Sequence, residues 1–239
     1  MRRAAIFLVV ATLIVSACGS GGAATGAASP ASAIGSASQA VSPGPSVRPE
    51  CPNPNGGECL GPLAAGAYTT TAFQPRLKYT VPSGWDNEED LPGNFLLLPP
   101  GATLAGVDAG TSDYLGVYTQ VAPDPNCATT AGIANPEPQA IAACIASRQG
   151  LVATEPQAIE IGGLTGYVLD VTLATGSNGT SLIRGVQPSG FEHGLGPGLT
   201  IRLYLLALRG GSLGIEIDDV GLADLTAYSD VVETFGFGL

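Results

Sequence analysis

The sequence is poor in histidine and in basic residues, with one histidine and nine Lys or Arg in 239 residues. The single histidine, His193, has no serine or cysteine in a nucleophile motif to work with, which argues against a catalytic triad. The few basic residues form no patch with interleaved aromatics, so we expect no nucleic-acid partner. The glycine-rich stretch 194–198 lacks the Lys-Ser/Thr ending and the following helix of a phosphate loop.

A short apolar segment near the N-terminus carries the strongest localisation signal. Two arginines precede the apolar residues 4–15, a run shorter than the roughly 20 residues that a spanning helix needs. The next residues, Val15-Ser16-Ala17-Cys18, resemble the bacterial lipoprotein box, aliphatic-x-small-Cys. This resemblance implies a signal peptide (1–17) cleaved before Cys18 and a diacylglycerol on the cysteine sulfur. In many bacteria it also implies a third chain, such as palmitate, on the amine. The alternative is a signal that is not cleaved or not lipidated.

The expected mature protein is a lipid-anchored, outward-facing protein of the bacterial cell envelope. Loss of residues 1–17 leaves seven basic and 20 acidic residues, a net charge of −13, which favours solubility and opposes binding to anionic lipid or nucleic acid. Residues 18–50 are rich in Ser, Ala, Gly and Pro, so we predict a disordered linker with a reach of about 30 Å. The membrane is therefore expected as a partner through Cys18 alone.

Four cysteines remain after Cys18, and an even number in an oxidising compartment predicts disulfides. Four cysteines allow three connectivities, and proximity in sequence favours Cys51–Cys59 and Cys127–Cys144. The first pair closes a Pro- and Gly-rich turn in an entry segment, 51–65. The second ties a loop to a predicted helix.

The remaining residues, 66–239, predict one α+β domain with a central antiparallel sheet flanked by helices. Period-2 alternation indicates strands, of which the two around the turn at 209–212 form the clearest hairpin. Helical spacing predicts one helix with Asn135 as its cap and Pro136 in its first turn, as far as Arg148, and another from Leu222 to Phe235. The apolar strand segments are Leu77–Val81, Phe95–Leu98, Leu115–Val121, Tyr167–Leu173, Ile201–Leu208 and Leu213–Ile217.

Four segments of this domain resemble the PsbP-like family, whose fold the LpqN-type bacterial lipoproteins share, and also uncharacterised secreted domains of bacteria. The segments are Phe73-Gln74-Pro75, the strand 79–85 that ends Pro-x-x-Trp, the turn 161–167, and a terminal helix ending in Val232-Glu233-Thr234-Phe235. The resemblance implies a central antiparallel sheet flanked by helices and, usually, a binding or adaptor role. It implies no site residue, because no site motif of the family is matched.

Three candidate sites have an alternative structural role. The acidic run 86–90 is dense in oxygen ligands but lacks the spacing of a calcium loop, so we expect a solvated acidic loop and no metal or cofactor. Asp218-Asp219 is a weaker candidate still. Trp85 and His193 are the candidate ligand-binding residues. Loops at sheet ends carry function, and the loops around Trp85 and at Phe191–Gly198 hold the only Trp and the only His. The alternatives are core packing for Trp85 and a solvated loop position for His193.

The function that the sequence favours is a non-catalytic binding or adaptor module with an envelope protein or a small molecule as partner. The alternative is an envelope hydrolase that uses carboxylates. A carboxylate pair across a water-sized gap in a cleft would favour the enzyme. A broad apolar groove without convergent titratable groups would favour binding.

Overall fold

The computed structural model describes residues 60–124, 127, 130, 133–185, 192–221 and 225–238. The signal peptide, Cys18, the linker, Phe191 and the proposed Cys51–Cys59 pair lie outside these residues and stay predictions. No helix of the described residues is long and apolar enough to cross a membrane.

The described chain forms fifteen strands in three sheets, with three helices, and every strand pair is antiparallel. The strands are β1 (Gly61–Pro62), β2 (Gly66–Thr69), β3 (Arg76–Val81), β4 (Asp86–Leu91), β5 (Asn94–Leu98), β6 (Tyr114–Thr119), β7 (Val121–Pro123), β8 (Leu151–Ala153), β9 (Gln157–Ile161), β10 (Leu164–Leu173), β11 (Thr180–Gly185), β12 (Glu192–Leu195), β13 (Thr200–Leu208), β14 (Gly211–Asp219) and β15 (Gly236–Gly238). The helices are α1 (Leu104–Asp108), α2 (Pro138–Ser147) and α3 (Leu225–Glu233).

The main sheet has the order β1-β4-β5-β6-β14-β13-β10-β8, and β9 also pairs with β10. Its centre is the predicted hairpin, which is confirmed: β13 and β14 pair over nine positions, from Thr200 opposite Asp219 to Leu208 opposite Gly211. The central antiparallel sheet is thus as predicted, but the helices are few. Two small sheets, β12-β11-β7 and β15-β3-β2, take part in covering its faces.

One face of the main sheet packs against β15-β3-β2 and helix α3. The predicted C-terminal helix is confirmed, and Tyr228, Val231 and Val232 bury its apolar side in this core. The Tyr228 hydroxyl donates to Asp113 Oδ2 at 2.9 Å, and the Val220 amide donates to Asp113 Oδ1 at 2.8 Å. Asp113 is fully buried, and these bonds offset the cost of burying its carboxyl.

The opposite face packs against β12-β11-β7 and helix α2. This helix begins at Pro138, two residues later than predicted, with the proline in its first turn and Ile141 and Ile145 fully buried. The Cys127–Cys144 disulfide is present and ties the helix to the segment after β7. Arg148, at the C-cap of α2, donates to Asp124 Oδ2 at 3.2 Å and to the Ser181 carbonyl at 2.5 Å, so it joins the helix to the small sheet.

The acidic run 86–90 corrects one expectation, because it is strand β4 and not a solvated loop. Asp90 is buried and accepts from the amides of Thr71, Ala72 and Phe73 at 2.6, 3.2 and 2.7 Å. Three amide donors offset the cost of burying this carboxyl group. The residue therefore holds the turn before β3 in place.

Candidate functional site

The structure places the two sequence-predicted ligand residues in separate environments. Trp85 is 3% exposed and packs edge-to-face on Tyr228 with ring centroids 5.6 Å apart, which is the core-packing role. His193 lies on strand β12, so the expected solvated loop position is wrong. Its ring packs against the ring of Tyr118, with centroids 4.4 Å apart, beside the apolar core on the α2 side of the main sheet. Its side chain is 22% exposed.

His193 is brought onto a group of buried polar side chains that we call the acid–tyrosine–histidine cluster: Tyr114, Tyr118, His193, Glu216 and Asp218. Four of them come from the central strands β6 and β14, where Tyr114 stands opposite Asp218 and Gly116 opposite Glu216. Gly116 is required there, because a Cβ at this position would overlap the ring of Tyr118. The missing side chain leaves room for the Tyr118 ring to lie back along β6 over Gly116.

Hydrogen bonds join the cluster through the hydroxyl of Tyr114. This hydroxyl donates to Glu216 Oε1 at 3.1 Å and lies 2.8 Å from His193 Nδ1. Which of the Tyr114 hydroxyl and His193 Nδ1 donates in this second contact is set by the tautomer of the imidazole. Glu216 Oε2 lies 3.5 Å from the same Nδ1 but forms no hydrogen bond with it.

Burial sets the protonation of the cluster. It raises the pKa of Glu216 to about 8, against the opposing effect of the hydrogen bond from Tyr114. It raises the pKa of Asp218 to about 7, with further contributions from the charges of Glu216, Asp113 and Asp219. Burial lowers the pKa of His193 to about 4, partly offset by the charge of Glu89. The 3.5 Å approach of His193 to Glu216 is therefore a contact between neutral groups and not an ion pair.

Two carboxyl oxygens of the cluster, Glu216 Oε2 and Asp218 Oδ1, have no hydrogen-bond partner among the described residues. Glu216 is fully buried and Asp218 is 7% exposed. Shifted pKa values of this kind, on an acid and a base in contact, are typical of acid–base sites but also of buried structural networks. The described residues contain no group of three or more His, Cys, Asp or Glu able to hold a metal ion.

A second candidate region lies at strand β9, where each face of the sheet carries an open groove. The α3-side groove has a volume of about 550 Å³ and an apolar floor of Ile159, Val168 and Tyr204. The α2-side groove has a volume of about 630 Å³, and Ile159, Tyr167 and Ala207 contribute its apolar lining. Both volumes fall in the range of small-ligand sites.

The charged residues of both grooves are mainly acidic. Glu137 and Glu160 line the α2-side groove, with no basic residue in its lining. Glu155, Asp170 and Glu233 line the α3-side groove, where Arg202 is the single cation. Arg202 donates to both carboxylate oxygens of Asp170 at 2.7 and 2.9 Å, so Asp170 neutralises its charge.

Sequence reasoning missed Tyr114, Tyr118 and Glu216, and it named Asp218 only within the weaker acidic candidate Asp218-Asp219. Alternation with Leu213, Ile215 and Ile217 had placed Glu216 and Asp218 on a polar face. A signal was present. The neighbouring strand 201–208 is apolar on both faces, so both faces of that part of the sheet had to be covered. The sequence carries no comparable signal for the two grooves, because their walls form only where α2 and α3 pack beside the sheet.

Comparisons with known proteins identify no family. No family model matches the chain, and no curated protein matches it. A solved structure from Bacteroides thetaiotaomicron is 11% identical with a TM-score of 0.34, and the match covers 68% of this chain but only 45% of that one. The solution structure of the cyanobacterial PsbP protein from Synechocystis is 14% identical with a TM-score of 0.38, covering 76% of this chain and 98% of that one. The resemblance to the PsbP-like family stays a prediction, because both TM-scores lie below 0.5.

Proposed function

We propose that the protein is a lipid-anchored envelope lipoprotein whose domain binds a partner and does not transform it. The observation that carries the proposal is the pair of grooves that flank β9, one on each face of the sheet. They are open, they have apolar floors, and their charges lie at the walls. This arrangement fits the retention of a ligand by contact area and charge.

The anchoring part of the proposal rests on the lipoprotein box at Cys18. The intact mass of the membrane-extracted protein tests it, with a mature chain that begins at a diacylated Cys18 as the expected result. A Cys18→Ser chain is expected to leave the membrane fraction. Unchanged membrane association of that variant would contradict the anchor.

The binding part is tested by site-specific photo-crosslinking in the full-length chain. A photo-reactive amino acid replaces Gln157, which lines the α3-side groove, or Gln139, which lines the α2-side groove. The control position is Leu104 on α1, which is exposed but lines neither groove. We expect discrete crosslinked products at the groove positions and none at Leu104. Equal products at all three positions, or none at any, would contradict binding in the grooves.

The second candidate, a hydrolase that uses carboxylates, is favoured by one observation. Glu216 and Asp218 stand two residues apart on one face of β14, and both pKa values are raised into the neutral range. Their burial opposes this function, because a substrate cannot reach Glu216 without displacement of β12. Hydrolysis in a broad substrate screen that is lost in Glu216→Gln would support the enzyme instead.

A further inference from the structure

We infer that β9 is a strand-addition site for an extended, positively charged segment of a partner protein. This inference rests on the proposed binding function and names the chemistry of the partner. In strand addition, backbone hydrogen bonds to a free sheet edge supply affinity, and pockets for alternate side chains supply specificity.

The edge of β9 has outward-facing backbone groups. In the described part of the chain, β9 pairs with β10 alone, through a hairpin that Gly162 and Gly163 close with φ values of 57° and 84°. The pair that closes a two-residue hairpin, here Ile161 and Leu164, is hydrogen-bonded, and the pattern alternates along the ladder. The N–H and C=O groups of Ala158 and Glu160 therefore point away from β10.

The edge is also held rigidly. The turn at Gly162 packs so closely on the C-terminal segment that a Cβ there would come within 2.7 Å of the Phe235 carbonyl oxygen. An edge that is already ordered costs less conformational entropy when a segment binds. The side chains of Gln157, Ala158 and Glu160 are exposed, so a strand has access along the edge.

The grooves suit the alternating side chains of an added strand. Successive side chains of a strand point to opposite faces of the sheet. Gln157 lines the α3-side groove, Ala158 and Glu160 line the α2-side groove, and Ile159 lines both. An added strand would place its odd side chains above one groove and its even side chains above the other.

Charge selects the kind of segment. Acidic residues exceed basic ones by two in each groove lining, counting Arg202 against three carboxylates on the α3 side. Lys and Arg side chains suit such walls, because their alkyl stems cover apolar floors while their charges meet the carboxylates. A second copy of this chain is a poor occupant, since the mature chain is strongly acidic and Glu160 lies on the edge itself.

The test uses the full chain and a defined probe. The probe is a fluorescent eight-residue peptide, Lys-Arg-Val-Ile-Lys-Arg-Val-Ile, which presents a basic and an apolar residue to each face. The first control is the same peptide with Glu for every Lys and Arg. The second carries an N-methyl group on every backbone amide, so neither of its edges can donate hydrogen bonds to β9. Fluorescence anisotropy gives each dissociation constant.

The matched protein variants are Ala158→Pro and Ala158→Val. Proline removes the outward N–H and obstructs the edge without breaking the β9–β10 ladder, whereas valine keeps the N–H and the strand preference. We expect Ala158→Pro to weaken binding at least tenfold and Ala158→Val less than threefold. Circular dichroism checks that both variants are folded. We also expect the Glu-substituted and N-methylated peptides to bind at least tenfold more weakly than the probe.

Each other outcome overturns the inference. Equal affinity of wild type and Ala158→Pro, or of the plain and N-methylated peptides, excludes strand addition at β9. Tighter binding of the Glu-substituted peptide excludes a basic partner, and concentration-dependent dimerisation abolished by Ala158→Pro identifies a second copy as the occupant. Photo-crosslinks at Gln157 and Gln139 without peptide binding leave the proposed function standing but refute this partner. Loss of the crosslinks as well refutes both.

Discussion

The acid–tyrosine–histidine cluster and the β9 edge belong to the same main sheet and are built in opposite ways. The cluster gathers two acids with raised pKa values and one histidine with a lowered pKa in the middle of the sheet, where Glu216 is fully buried. The β9 edge carries exposed carboxylates and outward backbone groups beside two open grooves. Convergent titratable groups therefore do not by themselves locate the binding surface. Access decides between the two regions, and it favours the edge.

The largest predicted effect comes from the acid–tyrosine–histidine cluster. Its carboxyl groups should lower the free energy of unfolding as the pH rises. The folded pKa values of Glu216 and Asp218, about 8 and about 7, lie above their ordinary values of 4.5 and 3.8. The folded state thus binds more protons than the unfolded state, and stability present at low pH is lost through the folded pKa values. Each group contributes up to about 1.4 kcal/mol per pH unit.

His193 changes the free energy of unfolding in the opposite direction, over a lower pH range. Its folded pKa, about 4, lies below the ordinary 6.5, so it removes stability as the pH falls from about 6.5 to about 4. The clearest fall is therefore expected between pH 6.5 and 8, by urea unfolding at each pH. Glu216→Gln should flatten this profile, whereas Glu233→Gln on the exposed surface of α3 should leave it unchanged. A profile that is flat or rising in wild type would contradict the assigned neutral state of the cluster.

The next effect concerns the packing that positions Tyr118. Gly116→Ala should cost about 1–3 kcal/mol of unfolding free energy, because the new methyl group overlaps the tyrosine ring. Gly194→Ala on β12 is the matched control, since a Cβ there would meet only the Thr180 carbonyl oxygen at 3.5 Å. Its change should stay within about 0.5 kcal/mol. Equal losses in both variants would remove the special role of Gly116.

Substitutions in the grooves beside β9 should change the affinity for the peptide. They should change the free energy of unfolding much less. Arg202 and Asp170 are 27% and 32% exposed, so Arg202→Gln should cost less than about 1 kcal/mol in a urea titration. The same change should tighten binding of the basic peptide several-fold, because the α3-side groove loses its only positive charge. Weaker binding after Arg202→Gln would show that this groove recognises an acidic group.

The smallest effect on stability is expected from the groove walls. Glu155→Gln and Glu233→Gln change exposed carboxylates, so unfolding free energies should stay within about 0.5 kcal/mol of wild type. Together they should weaken the basic peptide severalfold and reduce the salt dependence of its binding. Asp108→Asn on the C-terminal end of α1, whose side chain lines neither groove, is the control. An equal loss of affinity in Asp108→Asn would show that the effect comes from the net charge of the protein and not from the groove walls.

Alternation and helical spacing predicted much of this fold. Local patterns predicted the central hairpin, strand segments at 77–81, 95–98 and 167–173, both longer helices and the Cys127–Cys144 pair. The expectations for Asp86–Asp90 and His193 failed because tertiary contacts decide them. The amides that donate to Asp90 are 17 to 19 residues away in the sequence. The tyrosines that contact His193 are more than 70 residues away. No local pattern carries that information.

Hydrogen exchange of the full-length chain, with and without the basic peptide, tests the binding site most directly. The outward amides of Ala158 and Glu160 are open to solvent in the free protein and would become hydrogen-bonded to an added strand. We predict that the peptide slows exchange at these two amides and leaves the amides around Tyr114, His193 and Glu216 unchanged. Slowed exchange around His193 and Glu216 with no change in β9 would contradict the account and place the functional site at the buried cluster.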